Sequence, residues 1–110
     1  MDLFNDLQIK QQELDKSIKS LRKTGTEYAE SERAYKICLR EHALKLRTEK
    51  DMPVTLIQQV VYGVPEVAEK RFLRDVAEAV YHANQEAINS IKLQIRVIES
   101  QLNREYGNVR

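Results

Sequence analysis

The chain has 110 residues, of which 42% are hydrophobic and 32% charged, with only 3 glycines and 2 prolines. This composition fits one domain and excludes a disordered tail, a collagen-like repeat and a disulfide-rich scaffold. The 18 basic and 17 acidic side chains leave a net charge of +1. Such a balance argues against a dedicated polyanion binder or a chaperone for basic proteins.

Three features of the sequence bear on where the protein acts. Its single cysteine, Cys38, can form no internal disulfide, which suits a reducing compartment. The longest uncharged stretch, 52–65, is too short to cross a bilayer. The acidic N-terminus lacks the basic start and apolar core of a signal peptide. We therefore expect a soluble protein of the cytoplasm that does not associate with membranes.

The first segment, about residues 2–50, is predicted to be helical because its apolar residues follow a heptad repeat. Thr24 and Glu27 form a capping-box pattern, so a new helix could begin at 24–26. The heptad register passes through this point unbroken, which favours one long helix over a hairpin. The predicted coiled-coil-like seam has d positions at Leu7, Leu14, Leu21, Tyr28, Tyr35 and His42, and a positions at Phe4, Gln11, Ile18, Gly25, Glu32, Leu39 and Leu46.

A neutral connector follows the first helix, which Pro53 ends because proline restricts the residue before it and has no N–H to donate. A short helix is predicted over about 55–62, with Thr55 and Gln58 as a capping box and Gly63 just after its end. The β-branched residues make a strand over 54–61 the alternative, although the chain offers it no partner. Four apolar residues are expected on the helical face that packs: Leu56, Ile57, Val60 and Val61.

A second long helix is predicted over about 65–106, with Pro65 at its first position. Residues 91–98 alternate with a period of two, but the helical pattern on both sides favours helix. The predicted seam comprises Leu73, Ala77, Val80, Asn84, Ala87 or Ile88, Ile91, Ile95, Ile98 and Leu102, flanked by a second stripe of Leu93 and Val97.

These elements predict an all-α fold: a long antiparallel helical hairpin with coiled-coil-like seams and a short helical connector, in one domain over 1–110. The second long helix has a wider apolar face than one partner helix covers. We therefore expect a homo-oligomer, a dimer or higher, that completes a helical bundle. The expected oligomer seam is Ile88, Ile91, Leu93, Ile95, Val97, Ile98 and Leu102.

No enzymatic motif is present in the sequence. Cys38 and His42 share a helical face, but a thiol or metal site there would need further ligands. Glu78 and His82 also share a face, and neither histidine belongs to a Glu-x-x-His motif of a di-metal bundle. We expect no catalytic residues, no metal and no cofactor.

Two binding alternatives to a protein partner remain open. Nucleic-acid binding is suggested by two basic clusters, Lys16 to Lys23 and Lys70 to Arg74, although acidic residues adjoin both. Sequestration of a small nucleotide signal between protomers is suggested by Tyr81 near Arg74 and Asn84, since tyrosine can stack a base and arginine can hold its phosphate.

Six short phrases of the sequence carry a resemblance to known proteins: Tyr28–Glu30, Glu32–Lys36, Met52–Ile57, Gly63–Val67, Arg71–Tyr81 and Glu86–Ile88. Through them the chain resembles a group of small uncharacterised proteins of tailed phages and prophages of Gram-positive bacteria. The resemblance begins at about Leu21 and covers most of the rest of the chain. It implies a non-structural phage accessory made in the bacterial cytoplasm, and it implies no activity.

We therefore expect a non-enzymatic protein that oligomerises and binds a host or phage protein, with inhibition of a host or defence factor as its purpose. The uncharged connector links two charge-rich helices, so either its own bundle buries it or a partner covers it. Gln58, Gln59 and Tyr62 lie off its apolar face and are the predicted partner-binding residues, since aromatic side chains are enriched at interfaces.

Overall fold

The computed structural model of the protein describes residues 2–107. Helix α1 spans Leu3–Glu49, α2 spans Val54–Val60, a 3₁₀ turn covers Val61–Gly63, and α3 spans Pro65–Tyr106. We call α2 and the 3₁₀ turn the connector. The described residues contain no strand, so the all-α prediction is confirmed and the strand alternatives for 54–61 and 91–98 are wrong.

Helix α1 continues through Gly25 without a break. The Thr24 hydroxyl lies 3.2 Å from the carbonyl oxygens of both Ser20 and Leu21. A threonine inside a helix makes such bonds to the preceding turn, whereas a capping threonine accepts from the N–H groups that follow it. The capping-box pattern at Thr24 therefore does not start a new helix.

The end of α1 is determined by backbone geometry around Asp51. This residue has a φ of 50°, in the left-handed region that aspartate tolerates better than most residues. The Met52 N–H donates to the Leu46 carbonyl at 3.2 Å, and Arg47 Nη1 donates to the Met52 carbonyl at 3.1 Å. These bonds satisfy groups that the end of the helix leaves unpaired.

The connector begins one residue earlier than its predicted capping box. Pro53 precedes its first residue, without a side-chain cap, and the Pro53 carbonyl accepts from the N–H groups of Leu56 and Ile57 at 3.0 Å each. The Thr55–Gln58 capping box is therefore wrong. Gly63 has no positive φ and ends the 3₁₀ turn rather than forming a left-handed helix cap.

The contacts of the chain group into two compact units. Unit 1 holds the described residues up to Thr24 and from Tyr81 onward, and unit 2 spans Gly25–Val80. In each unit a part of α1 pairs with a part of α3.

The two helices of unit 1 run antiparallel. The rings of Phe4 and Tyr106 lie 5.6 Å apart at one end, and the Thr24 hydroxyl lies 3.0 Å from Asn84 Oδ1 at the other. Ile88 and Ile95 of α3 are the buried hydrophobic residues among those described in this unit.

The seam of α1 in unit 1 differs from the predicted a and d positions. The d residues are half-buried as predicted, but Phe4, Gln11 and Ile18 at the a positions are exposed. The Asn84 side chain explains the difference, because its Nδ2 donates to the Ser17 carbonyl at 3.0 Å and its Oδ1 lies against the Thr24 hydroxyl. These bonds turn toward α3 the residues of α1 that precede each a position by one. Those residues are half-buried: Leu3, Lys10, Ser17 and Thr24.

Unit 2 has a core formed by all three helices and the 3₁₀ turn. Tyr35 of α1, Ile57 and Val61 of the connector, and Val67 of α3 are buried together. Partly buried side chains pack around them: Cys38, Leu39, Ala43, Leu46, Met52 and Val64.

The α3 seam of unit 2 also departs from the prediction, since Leu73 and Val80 are exposed and Arg74 and Glu78 are half-buried in their place. The tyrosines on α1 account for this exchange. The Tyr28 hydroxyl donates to Glu78, and the Arg74 guanidinium lies over the Tyr35 ring, so Glu78 and Arg74 turn toward α1.

The predicted apolar face of the connector divides into two. Ile57 and Val61 are buried, whereas Leu56 and Val60 are exposed. The expectation that Leu56 is a buried leucine is therefore wrong, because the side of the helix that faces the core is the one carrying Ile57.

This division predicts different costs for two neighbouring truncations. Ile57 is only 7% exposed, so Ile57→Ala should leave a cavity and lower the free energy of unfolding of the protein by about 2–5 kcal/mol. Leu56 is 43% exposed, and Leu56→Ala should lower it by about 1 kcal/mol or less. Urea denaturation of both variants measures these values, and equal losses would contradict the packing of the connector.

Candidate partner-binding groove

The outer side of the connector lines an open groove against α1, within unit 2. Its volume is about 770 Å³. We call it the connector groove. It is lined from α1 by Lys36, Ile37, Leu39, Arg40, Ala43, Leu44 and Arg47, and from the connector by Val54, Ile57, Gln58, Val61 and Tyr62.

The floor of the connector groove is apolar and much of it is open to solvent. Four large apolar side chains of the lining are exposed, Ile37 and Leu44 on α1 and Val54 and Tyr62 on the connector. Contiguous exposed apolar surface of this kind marks an interaction site more often than singly scattered apolar residues do.

The rim of the groove carries charge of one sign. Lys36, Arg40 and Arg47 follow one another along α1, and no acidic residue of the described part of the chain lines the groove. Arg47 is held in place by its bond to the Met52 carbonyl at 3.1 Å. Lys36 lies 3.7 Å from the Glu32 carboxylate in an exposed pair, which holds it weakly.

The three predicted partner-binding residues are all exposed, but they do not form one surface. Gln58 and Tyr62 line the connector groove, and Gln59 does not. The Tyr62 ring also lies 5.7 Å from the Arg71 guanidinium, which places a cation beside it. Two of the three residues therefore lie at the groove, and their role in partner binding stays a prediction.

The α1 side of the groove was missed by the sequence analysis. Ile37 and Leu44 occupy the same heptad position, two residues after d, and side chains at this position do not face the partner helix of a two-helix seam. An apolar pair that repeats at such a position indicates a second apolar surface on α1, and this was the feature from which the groove could have been predicted. The basic residues between and beyond them gave no signal, because charged residues are common on exposed helix faces.

A polar cluster lies along the α1–α3 pairing of unit 2. The Tyr28 hydroxyl donates to Glu78 Oε2 at 3.2 Å, and the Arg74 guanidinium lies 4.7 Å from the centre of the Tyr35 ring. Arg74 Nε also donates to the Asp75 carboxylate at 2.9 Å. Desolvation is the largest single effect on Arg74 and lowers its pKa, but the hydrogen bond to Asp75 and the negative charges around the guanidinium together outweigh it, so that the pKa of Arg74 is raised.

The pKa of Tyr28 is raised, first by partial desolvation and then by the carboxylates of Glu78 and Glu32. The folded chain therefore holds the phenol proton more tightly than the unfolded chain. The resulting stabilisation is present below the ordinary tyrosine pKa of about 10 and is lost as pH rises through the higher folded value.

We accordingly expect the free energy of unfolding to fall more steeply above about pH 10 in the native chain than in Tyr28→Phe. Urea denaturation at a series of alkaline pH values compares the two. Parallel pH profiles would show that the Tyr28 phenol does not titrate differently in the folded chain.

Cys38 and His42 lie in unit 2 as ordinary packing residues of α1. Cys38 is half-buried against the core, and His42 is half-buried. Among residues 2–107, no group of three histidine, cysteine, aspartate or glutamate side chains is placed to hold a metal ion.

The predicted oligomer seam lies in unit 1 and divides by burial. Ile88 and Ile95 are buried, and Ile91, Ile98 and Leu102 are half-buried. Leu93 and Val97 are 61% and 51% exposed. These two line a second groove of about 420 Å³, together with Leu3, Asp6, Ile9, Lys10, Gln94, Ile98 and Gln101.

The residues proposed for nucleotide binding have partners within their own units. Arg74 contacts Tyr35 and Asp75, and Asn84 bonds to Ser17 and Thr24.

Comparison with protein-family models, with curated proteins and with solved structures finds no match for the chain. In the described part of the chain, no helix combines the length and the apolar character that crossing a membrane requires.

Proposed function

We propose that the protein is a non-enzymatic, self-associating binding module, which docks on another protein through the connector groove. The observation that carries this proposal is the groove itself, an exposed apolar floor with a basic rim built on packed helices. Rigid elements that present exposed apolar surface are typical of protein-binding sites. The resemblance to tailed-phage proteins supports a phage accessory in the bacterial cytoplasm, with inhibition of a host or defence factor as its purpose.

The docking proposal predicts that substitutions in the groove, and not elsewhere on the connector, weaken capture of a partner. Leu44→Asp should abolish retention of specific proteins from a Gram-positive bacterial lysate on immobilised chain, because a charge on the apolar floor must be desolvated on binding. Tyr62→Ala should reduce that retention.

Val60→Asp is the matched control, since Val60 is exposed on the same connector but does not line the groove. Thermal unfolding followed by circular dichroism shows that the variants are folded. Retention that survives Leu44→Asp, or that is lost equally in Val60→Asp, would contradict docking at the groove.

Self-association is assigned to the groove of unit 1, and a second copy of the chain is its proposed occupant. Asp6 and Lys10 lie one helical turn apart on the α1 side of this groove and are, within residues 2–107, the only charged residues that line it. Lys10 also makes a partly exposed ion pair with Glu13 at 3.2 Å, which binds it weakly enough to take a new partner. In a two-fold arrangement each carboxylate can face the other copy's ammonium, so the surface is complementary to itself. Exposed Leu93 and Val97 supply the apolar contact.

Two substitutions on α3 separate self-association from folding. Val97→Asp should give the mass of one chain, 12.9 kDa, in light scattering at micromolar concentration, with helix content unchanged. Ile95→Asp places a charge at a buried position and should instead lower the unfolding free energy by several kcal/mol. A native chain that already scatters as one chain would overturn the self-association proposal.

A further inference from the structure

We infer that the occupant of the connector groove is a single amphipathic helix with acidic residues beside its apolar stripe. This inference rests on the proposed docking function and adds the chemistry of the partner. Three properties of the groove support it: the shape of its walls, its length and the sign of its charge.

The walls favour a helix over an extended peptide. Both walls are helical side-chain surfaces, and the described residues contain no strand edge that could pair with an incoming backbone. An extended segment on the apolar floor would leave backbone N–H and C=O groups without partners. A helix satisfies its own backbone and presents only side chains, which is the usual way in which an apolar groove between helices is filled.

The length of the groove fits a short helix. Its α1 wall runs from Lys36 to Arg47, which at 1.5 Å per residue corresponds to about 16 Å, or three helical turns. Ile37 and Leu44, two turns apart, and Val54 on the opposite wall provide places for the apolar side chains of such a helix.

The charge of the rim selects acidic residues. Lys36, Arg40 and Arg47 line one side, and Gln58 and Tyr62 line the other. None of the described lining residues is acidic, and Glu32, which lies outside the groove, makes only a weak, exposed pair with Lys36 at 3.7 Å. A helix with carboxylates beside its apolar stripe would find unlike charges along one rim and neutral hydrogen-bonding groups along the other. A basic helix would meet like charges, which lowers affinity and suppresses wrong partners.

Arg40 is the most informative residue of this rim. It stands between the other two cations and makes no ion pair with the described residues. Its replacement therefore removes rim charge without breaking an internal bond. Lys45 provides the matched control, because it is exposed on the same helix but does not line the groove.

The test measures binding of two synthetic helical peptides to the full chain by fluorescence anisotropy. Both peptides have about 18 residues, enough to form a helix, and the same leucine stripe at i, i+3, i+4 and i+7. One carries glutamates beside the stripe and the other carries lysines at the same positions. We expect the glutamate peptide to bind at least about tenfold more tightly, with an affinity that falls as salt is added.

Arg40→Glu should lower the affinity for the glutamate peptide by about tenfold or more. Lys45→Glu makes the same change in net charge and should lower that affinity by about twofold or less. Equal effects of the two variants would overturn the inference, as would binding of neither peptide. Preferential binding of a single-stranded DNA oligonucleotide, weakened by Arg40→Glu, would overturn it in favour of nucleic acid.

The peptide and lysate experiments together distinguish failure of the acidic-helix inference from failure of the docking function on which it rests. If both peptides bind equally and Leu44→Asp abolishes both, docking at the groove stands and the acidic partner is wrong. If the glutamate peptide fails but lysate capture still depends on Leu44, the partner is not an acidic helix and the docking function again stands. If capture is independent of Leu44, the docking function itself is wrong.

Discussion

A pair of helices buries only one narrow stripe of each, and this limit determines most of what the chain presents to its surroundings. Among the described residues the buried hydrophobic side chains are few: Tyr35, Ile57, Val61, Val67, Ile88 and Ile95. Apolar residues outside those stripes stay exposed even where they repeat regularly along a helix, as Ile37 and Leu44 do. Because these residues lie on helices that pair with a neighbouring element, the exposed apolar surface takes the form of grooves, and both proposed interactions follow from it.

Polar side chains decide which stripe of each helix turns inward. In unit 1 the Asn84 amide bonds to Ser17 and Thr24, and Ile18 is left exposed. In unit 2 Tyr28 and Tyr35 take Glu78 and Arg74 as partners. Such contacts add little net stability compared with apolar packing. A different register would bury these polar groups without hydrogen-bond partners, which is costly, so the contacts specify the register of the helix pair.

The connector combines two roles that its neutral sequence left undivided. Ile57 and Val61 close the core of unit 2, while Val54, Gln58 and Tyr62 form a wall of the groove. Successive residues of a helix point in directions about 100° apart, so one short helix can serve a core and a surface at once. Its lack of charge suits both roles, because neither a core nor an apolar groove tolerates an unpaired charge at low cost.

Local chemistry was sufficient to predict the helices from the sequence: the heptad repeat of α1, proline at the start of α3, and few helix-breaking residues between them. The sequence also predicted exposed Gln58 and Tyr62, since both lie off the apolar stripe of the connector. The inward face could not be predicted, because adjacent residues such as Ser17 and Ile18 compete for the seam and the bond to Asn84 decides between them across 67 positions of sequence. The groove itself depends on α1 and the connector lying side by side, and only tertiary packing brings Arg40 and Tyr62 to the same site.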